Sequence, residues 1–144
     1  MQQPHERILA FLKENTVANI CLLNSENKPH CISCFYVFHE EESTLIVKSG
    51  YGTAHDKLIT ENAPVSGTIL PNSVDPLQLR GIQFNGKLLS LSPASLIKYS
   101  ATYAQKYPMS LAIPGYIWAA RLEQLKLTDN TIGFGTKINW RSES

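Results

Sequence analysis

Short β-type segments recur along most of the chain and limit the folds that are open to it. Each segment is rich in β-branched and aromatic residues and ends at a polar or proline-containing turn. Mostly antiparallel strands with turns of this spacing predict a mainly β protein built as a small Greek-key barrel. The predicted strands cover residues 16–23, 29–38, 44–48, 65–70, 79–91 and 116–127, and a glycine-containing terminal segment covers residues 131–140.

Helical patterns flank these strands. Residues 4–15 have amphipathic spacing, and a short crossover helix is predicted over residues 54–62. Ser92 and Pro93 are a typical helix start, and the helix that they open is expected to end near residue 106, before the Tyr-Pro pair. Tyrosines at helical spacing in this segment form one stripe, which we expect to pack on the barrel or on a partner: Tyr99, Tyr103 and Tyr107.

Composition excludes several classes of protein. A length of 144 residues with 43% hydrophobic residues suits one packed domain, residues 1–144. A net charge of +1 and a charged fraction of 17% argue against a nucleic-acid partner, and the neutral surfaces indicate subunit contacts. No apolar run reaches the length of a membrane span, and the first residues lack the pattern of a secretory signal. These features predict a cytoplasmic protein without a membrane partner.

The three cysteines are Cys21, Cys31 and Cys34, an odd number that fits a reducing compartment. Cys31 and Cys34 have CxxC spacing within a β-type segment. Positions three apart on a strand point to opposite faces, so this pair cannot easily form a disulfide or chelate one metal ion. We therefore expect packing roles for the pair and no metal site.

A glycine-spaced loop follows the third predicted strand. It contains Gly50 and Gly52, and Thr53 then precedes a helix-like segment with His55. Glycine lets backbone N–H groups turn toward a ligand, and a helix N-terminus adds further donors and partial positive charge. The segment thus indicates a phosphate-bearing cofactor. The alternative is a tight turn in which Thr53 is an ordinary helix cap.

Four stretches carry a family resemblance. Residues 52–55 read Gly-Thr-Ala-His, residues 80–86 form an arginine-led strand that ends in glycine, and residues 121–125 read Arg-Leu-Glu-Gln-Leu. With the ending over residues 127–140, they resemble the pyridoxamine 5′-phosphate oxidase-like, FMN-binding split-barrel superfamily. The ending is similar to that of one small, uncharacterised bacterial subgroup. The resemblance implies a six-stranded antiparallel Greek-key split barrel with flanking helices.

The resemblance also implies an FMN site at the interface of a homodimer, where the partner's late strands close over the flavin. Two departures bear on it. Ala54 and His55 stand where the family's oxidases carry basic residues, and Gly133, Phe134 and Gly135 replace the oxidases' substrate segment. Oxidation of pyridoxamine phosphate is therefore not expected. The implied cofactor-binding residues are Ser33, Cys34, Lys48, Ser49, Gly50, Gly52, Thr53, His55, Arg80, Gln83, Lys137 and Trp140.

Three functions remain open at this stage. The first is a flavin oxidoreductase that acts on a small molecule, with no catalytic residue identified. The second is a non-catalytic dimeric module for binding or sensing, in which the flavin site is weak or lost. The third places haem or a deazaflavin in the same groove, with His55 or His30 as the candidate haem ligand. The alternative role for Arg80 is a solvated charge at the edge of its strand. For Lys137 and Trp140 the alternative is packing in the dimer or the core alone.

Overall fold

A computed structural model describes residues 3–24, 26–49 and 63–143. The predicted crossover helix over residues 54–62 lies outside them, as do Gly50, Gly52, Thr53 and His55. The elements are α1 (Glu6–Glu14), β1 (Val17–Leu23), β2 (Pro29–His39), β3 (Thr44–Ser49), β4 (Pro64–Ile69), β5 (Arg80–Leu88), α2 (Pro93–Lys106), a 3₁₀ helix (Pro108–Ala112), β6 (Tyr116–Asp129) and β7 (Lys137–Arg141).

The strands form a closed antiparallel barrel. Their order is β3-β2-β1-β4-β5-β6-β7, and β3 also pairs with β6, which closes the first six strands on themselves. The placement of β4 beside β1 is the Greek-key connection. The prediction of a six-stranded Greek-key barrel with flanking helices is confirmed. The terminal segment adds a seventh strand, β7, which pairs with β6 outside the closed ring.

Alternation along the strands assigns side chains to the barrel interior. On β5, Ile82, Phe84 and Leu88 are buried, while Gln83 and Asn85 between them are exposed. The last part of β6 follows the same rule after a register shift opposite Asn85 and Gly86. One contiguous apolar core therefore fills the ring of strands.

Helix α1 closes one end of the barrel. Its Ile8, Phe11 and Leu12 are fully buried in the barrel core. The hydroxyl of Tyr36, a β2 residue, donates a 2.7 Å hydrogen bond to the carbonyl of Leu12. A buried carbonyl in the last turn of the helix thus has a hydrogen-bond donor from the protein in place of water.

Helix α2 covers part of the barrel's outer surface. It begins at the predicted cap, where the Ser92 hydroxyl accepts from the Ser95 amide. Tyr99 and Tyr103 pack with Val37 and Ile46 in a second buried cluster, so the tyrosine stripe packs on the barrel. None of the helices among the described residues combines the length and the apolar character that crossing a membrane requires.

Candidate functional site

The strand that leads into the predicted phosphate loop is β3, and its last two residues point to opposite sides. Ser49 is buried, whereas Lys48 lies on the outer side and is half-buried. The Lys48 Nζ donates a 2.6 Å hydrogen bond to the carbonyl of Ser110 in the 3₁₀ helix. An ammonium group carries three donors, and Ser110 accepts one of them. Lys48 is therefore a cation whose position is fixed by the 3₁₀ helix, and it lies where the chain enters the glycine-containing segment.

A cleft of about 460 Å³ opens beside this cation and is called the β3-end cleft below. It lies between the start of β6, helix α2 and the 3₁₀ helix. Its walls are mostly aliphatic and aromatic, and its volume falls in the range of small-molecule sites, about 300–1,000 Å³. Besides Lys48 and Ser110, the lining includes Leu89, Leu91, Leu96, Ser100, Tyr103, Leu111, Gly115, Tyr116, Ile117 and Trp118.

Large apolar side chains stand exposed around the mouth of the β3-end cleft. Leu111 is 79% exposed, and Leu96 and Tyr116 are exposed to 43% and 52%. Met109 and Ile113, in and next to the same 3₁₀ helix, are also exposed. A contiguous apolar rim of this kind is typical of a surface that another chain covers.

A second surface is the bare outer face of the sheet beyond α2. Ser33, Asn19, Thr68 and Gln83 lie directly opposite one another on β2, β1, β4 and β5. The Ser33 hydroxyl donates to Asn19 Oδ1 at 2.7 Å, and Asn19 Nδ2 donates to Thr68 Oγ1 at 3.4 Å. The row brings together two predicted site residues, Ser33 and Gln83, on one polar face.

This polar face ends in a shallow cleft of about 530 Å³ along β5, β6 and β7, called the late-strand cleft below. Amide side chains and two cations line it, so its chemistry suits a polar or anionic group. Lys137 is exposed on β7, and Trp140, which borders the cleft, is only 7% exposed and belongs to the barrel core. The lining residues are Gln83, Asn85, Gln124, Leu125, Lys126, Asn139, Trp140 and Arg141.

Arg80 lies at the far end of the barrel from Lys48 and Ser49. Ser49 pairs with Tyr116 at the beginning of β6, whereas Arg80 pairs with Asp129 at the end of that strand. The Arg80 Nε lies 3.5 Å from Asp129 Oδ2, and the guanidinium lies over the ring of Phe11. The structure thus gives Arg80 an ion pair beside α1, at the end of the barrel away from Lys48 and Ser49.

Asp129 is expected to stabilise the fold in a pH-dependent way. Burial alone would raise the pKa of its carboxyl, but hydrogen bonds from Thr131 and the Arg80 charge outweigh burial and hold the pKa below its ordinary value. A folded-state pKa below the unfolded value of about 3.9 gives stability that is present above that value and lost as the pH falls through the folded pKa. We expect the Asp129→Asn variant to lose less free energy of unfolding than wild type between about pH 5 and pH 3. Urea unfolding across this range measures it, and equal losses in both proteins would contradict the assignment.

The CxxC cysteines lie on opposite faces of β2, as their strand positions predict, but the expected packing role holds only for Cys34. Cys31 is exposed on the outer face, whereas Cys34 packs against the barrel core, where burial raises the pKa of its thiol to about 12. Cys34 is thus an unreactive packing residue. Within residues 3–24, 26–49 and 63–143, no group of three or more His, Cys, Asp or Glu side chains could hold a metal ion.

The sequence analysis missed most of the β3-end cleft. Its walls come from three separate segments, and the 3₁₀ helix that holds Lys48 through Ser110 has no distinctive pattern. The tyrosine stripe on α2 is the available signal, and it predicts packing. Tyr103 does belong to a buried cluster, and so does Trp118, while both residues also line the cleft.

The barrel and its flanking helices define the class of the protein, a split barrel of the pyridoxamine 5′-phosphate oxidase-like fold. A haem-binding protein from Mycobacterium smegmatis has a TM-score of 0.75 at 15% identity over 98% of this chain, which spans 60% of that protein. HutZ, the haem storage protein of Vibrio cholerae, has a TM-score of 0.68 at 12% identity, covering 86% of this chain and 94% of its own. A Clostridium acetobutylicum protein of the pyridoxinephosphate oxidase family has a TM-score of 0.62 at 12% identity, covering 94% and 92%.

Sequence relatives then give the family. A UPF0306 protein of Serratia proteamaculans is 31% identical over 138 residues, 96% of this chain and 95% of the relative. A UPF0306 protein of Photorhabdus laumondii is 33% identical over 131 residues, 91% of each chain. No family model matches the chain. Because these two relatives are similar over nearly the whole chain, the chain belongs to the UPF0306 family.

Proposed function

We propose that this protein is an FMN-binding homodimer that serves as an oxidoreductase for a small molecule. The observation that carries the proposal is the β3-end cleft. It combines an apolar slot with the partly buried Lys48, and it opens where the chain enters the glycine-containing segment. A flavin needs such a slot for its ring and fixed donors for its phosphate.

The residues present fit the cofactor in kind. The aliphatic and aromatic walls suit a flat conjugated ring, and Lys48 supplies a cation for the phosphate end. The loop residues Gly50, Gly52, Thr53 and His55, which are outside the described residues, would supply backbone and side-chain donors by the resemblance. FMN supplies reversible electron or hydride transfer when it is bound, and the chain supplies orientation and exclusion of water.

The homodimer is proposed from the two clefts together. The rim of the β3-end cleft is apolar, and its side chains, such as Leu111, are exposed in a single chain. Burying this apolar surface against a second chain would lower the free energy of the protein in water. The late-strand cleft offers amide and cationic side chains, among them Gln83 and Lys126, that suit the polar edge of a flavin. We propose that the late strands of one chain, with Lys137 at their margin, cover the β3-end cleft of the other.

A cytoplasmic setting belongs to the same proposal. Its support is the chain's three free cysteines, which fit a reducing compartment.

The first test is a spectrum of the protein purified without added cofactor, followed by titration with FMN. We expect a flavin absorption spectrum or an FMN dissociation constant of the order of 1 µM or lower. Riboflavin, which lacks the phosphate, should bind at least about tenfold more weakly if the anion site exists. Colourless protein that binds no added FMN would overturn the proposal. Unchanged FMN affinity in both Thr53→Ala and His55→Ala would remove the loop assignment.

Loss of the Lys48 charge is expected to weaken FMN binding by about tenfold or more, since a charge-assisted contact contributes about 1.5–3 kcal/mol. The Lys48→Met variant keeps an unbranched side chain but removes the cation. The matched control is Lys28→Met, which removes an exposed lysine in the turn between β1 and β2. Fluorescence titration of FMN gives both affinities. Equal affinity for Lys48→Met and Lys28→Met would place the phosphate elsewhere.

Haem is the second candidate because two of the similar structures are a haem-binding and a haem storage protein. The lining of the β3-end cleft contains no histidine among the described residues, which favours FMN there. The candidate iron ligands for haem are His55 and His30. A Soret band in the purified protein that is lost in His55→Ala or His30→Ala would establish haem in place of FMN.

A non-catalytic sensing role predicts cofactor binding without turnover of any electron donor.

A further inference from the structure

Cys21 and Cys31 face each other on the outer surface of the hairpin formed by β1 and β2. They are direct partners in the β1–β2 register. Ile20 and Leu22, the chain neighbours of Cys21, point into the barrel, so Cys21 points outward. Cys31 is exposed on the same surface. The CxxC spacing does not indicate this pair, because the partner of Cys31 lies on the neighbouring strand and not on the same strand.

The hydrogen-bond pattern makes this pair a close one. The Asn24 amide donates to the Lys28 carbonyl, and the Tyr36 amide donates to the Thr16 carbonyl, which fixes the alternation along the ladder. Counting inward from either end places Cys21 and Cys31 at a non-hydrogen-bonded pair, whose Cα atoms lie about 4.5 Å apart with side chains that converge. That separation lies within the range of disulfides, about 4.4–6.8 Å between Cα atoms.

The surroundings leave both sulfurs open to a reagent. Cys31 is exposed, and Cys21 borders a groove of about 320 Å³ with Leu23, Pro29 and Ser66 among its walls. A hydrogen bond with Cys31, partial burial and the charge that Cys31 acquires on ionisation raise the pKa of the Cys21 thiol. Cys31 is therefore the first thiolate to attack, and Cys21 is the thiol that resolves.

We propose that Cys21 and Cys31 form a reversible disulfide when the protein meets a low-molecular-weight disulfide such as oxidised glutathione. The Cys31 thiolate attacks one glutathione sulfur, so the glutathione disulfide breaks and one reduced glutathione leaves. The Cys21 thiolate then attacks Cys31 Sγ in the mixed disulfide and expels the second reduced glutathione. The two protein thiols are oxidised, the glutathione disulfide is reduced by the same two electrons, and two protons end on the glutathione thiols.

Cys34 cannot replace either partner. It packs on the core side of β2, and burial raises the pKa of its thiol to about 12. A disulfide to Cys31 would have to join opposite faces of one strand. The site is therefore a two-thiol site on the surface of the hairpin, and it stands independently of the proposed cofactor.

The test is incubation of the folded, full-length protein with oxidised glutathione, followed by thiol counting and intact mass measurement. Wild type is expected to lose two of its three thiols and to lose two hydrogens in mass, without a stable glutathione adduct. Cleavage after Glu26 separates Cys21 from the peptide that holds Cys31 and Cys34. Blocking of the free thiol before cleavage, followed by fragmentation of the disulfide-linked peptide pair, identifies Cys31 as the partner if the block lies on Cys34. Dithiothreitol should restore all three thiols.

Three variants complete the experiment. Cys34→Ala should still lose two thiols, whereas Cys21→Ala and Cys31→Ala should form no intramolecular disulfide. The Cys21→Ala variant should stop at the mixed disulfide on Cys31 and retain one glutathione. Circular dichroism confirms that each variant is folded. Wild type that retains glutathione on Cys31, a bridge to Cys34, or a protein that keeps all three thiols would each overturn the proposal.

Discussion

The Gly67→Ala variant is expected to lower the free energy of unfolding by about 3 kcal/mol, the upper part of the range for overpacking a core. Gly67 lies on β4 between β1 and β5. A Cβ atom there would lie 2.1 Å from the Asn19 carbonyl oxygen and about 2.5 Å from the ring of Phe84. The backbone of Asn19 and the buried ring of Phe84 thus leave no space for the added methyl group. The clash can be relieved only if paired strands of the closed barrel move apart.

The matched control is Gly81→Ala on β5, where an added Cβ meets its nearest neighbours, the Ile69 carbonyl and the Leu70 side chain, at 3.4 Å. Alanine fits there with ordinary van der Waals contact, so we expect little change in stability. Urea unfolding at neutral pH, followed by circular dichroism, compares the two variants. Similar midpoints for Gly67→Ala and Gly81→Ala would show that β4 can move and that the close approach is not rigid.

The Phe11→Ala variant is expected to destabilise the protein by about 3–5 kcal/mol, as usual for loss of a buried aromatic ring. Phe11 is fully buried where α1 closes the barrel, and its ring lies 5.2 Å from the Arg80 guanidinium carbon. Removing the ring leaves a cavity under the helix. It also takes away the surface over which Arg80 lies while that residue pairs with Asp129.

Leu77→Ala serves as the control for loss of apolar side-chain volume, because Leu77 is 89% exposed in the loop before β5. Its effect should stay within about 0.5 kcal/mol. Unfolding curves of the two variants, measured side by side, separate core packing from general loss of side-chain volume. A loss below about 1 kcal/mol for Phe11→Ala would mean that α1 is not part of the cooperative core.

Local patterns predicted the strands well because a strand's period is short. On β5, Ile82 and Phe84 alternate with polar neighbours in the sequence, and both are buried on the inward face of the strand. The Ser92 cap likewise located the start of α2. These features depend on residues within a few positions of one another, so they can be read from the chain alone.

Features that depend on pairing between strands could not be predicted in this way. The two strands of the hairpin between β1 and β2 were predicted, but their register was not, and a slip of one residue would turn every side chain to the other face. Asn24 helps to set that register, because its side chain accepts from the amides of Glu26 and Lys28. Register is what brings Cys21 opposite Cys31 and makes the CxxC spacing irrelevant.

The sequence by itself determined the mainly β architecture and the Greek-key barrel with its flanking helices, and its motifs indicated the split-barrel fold. Only the tertiary structure decided which side chains meet. Closure of the barrel through β3 and β6 put Lys48 beside a cleft walled by α2 and the 3₁₀ helix, and it put Arg80 at the opposite end. The physical reason is that hydrophobic periodicity is a local property of the chain. Register, closure and helix packing arise from contacts between residues that are far apart in sequence.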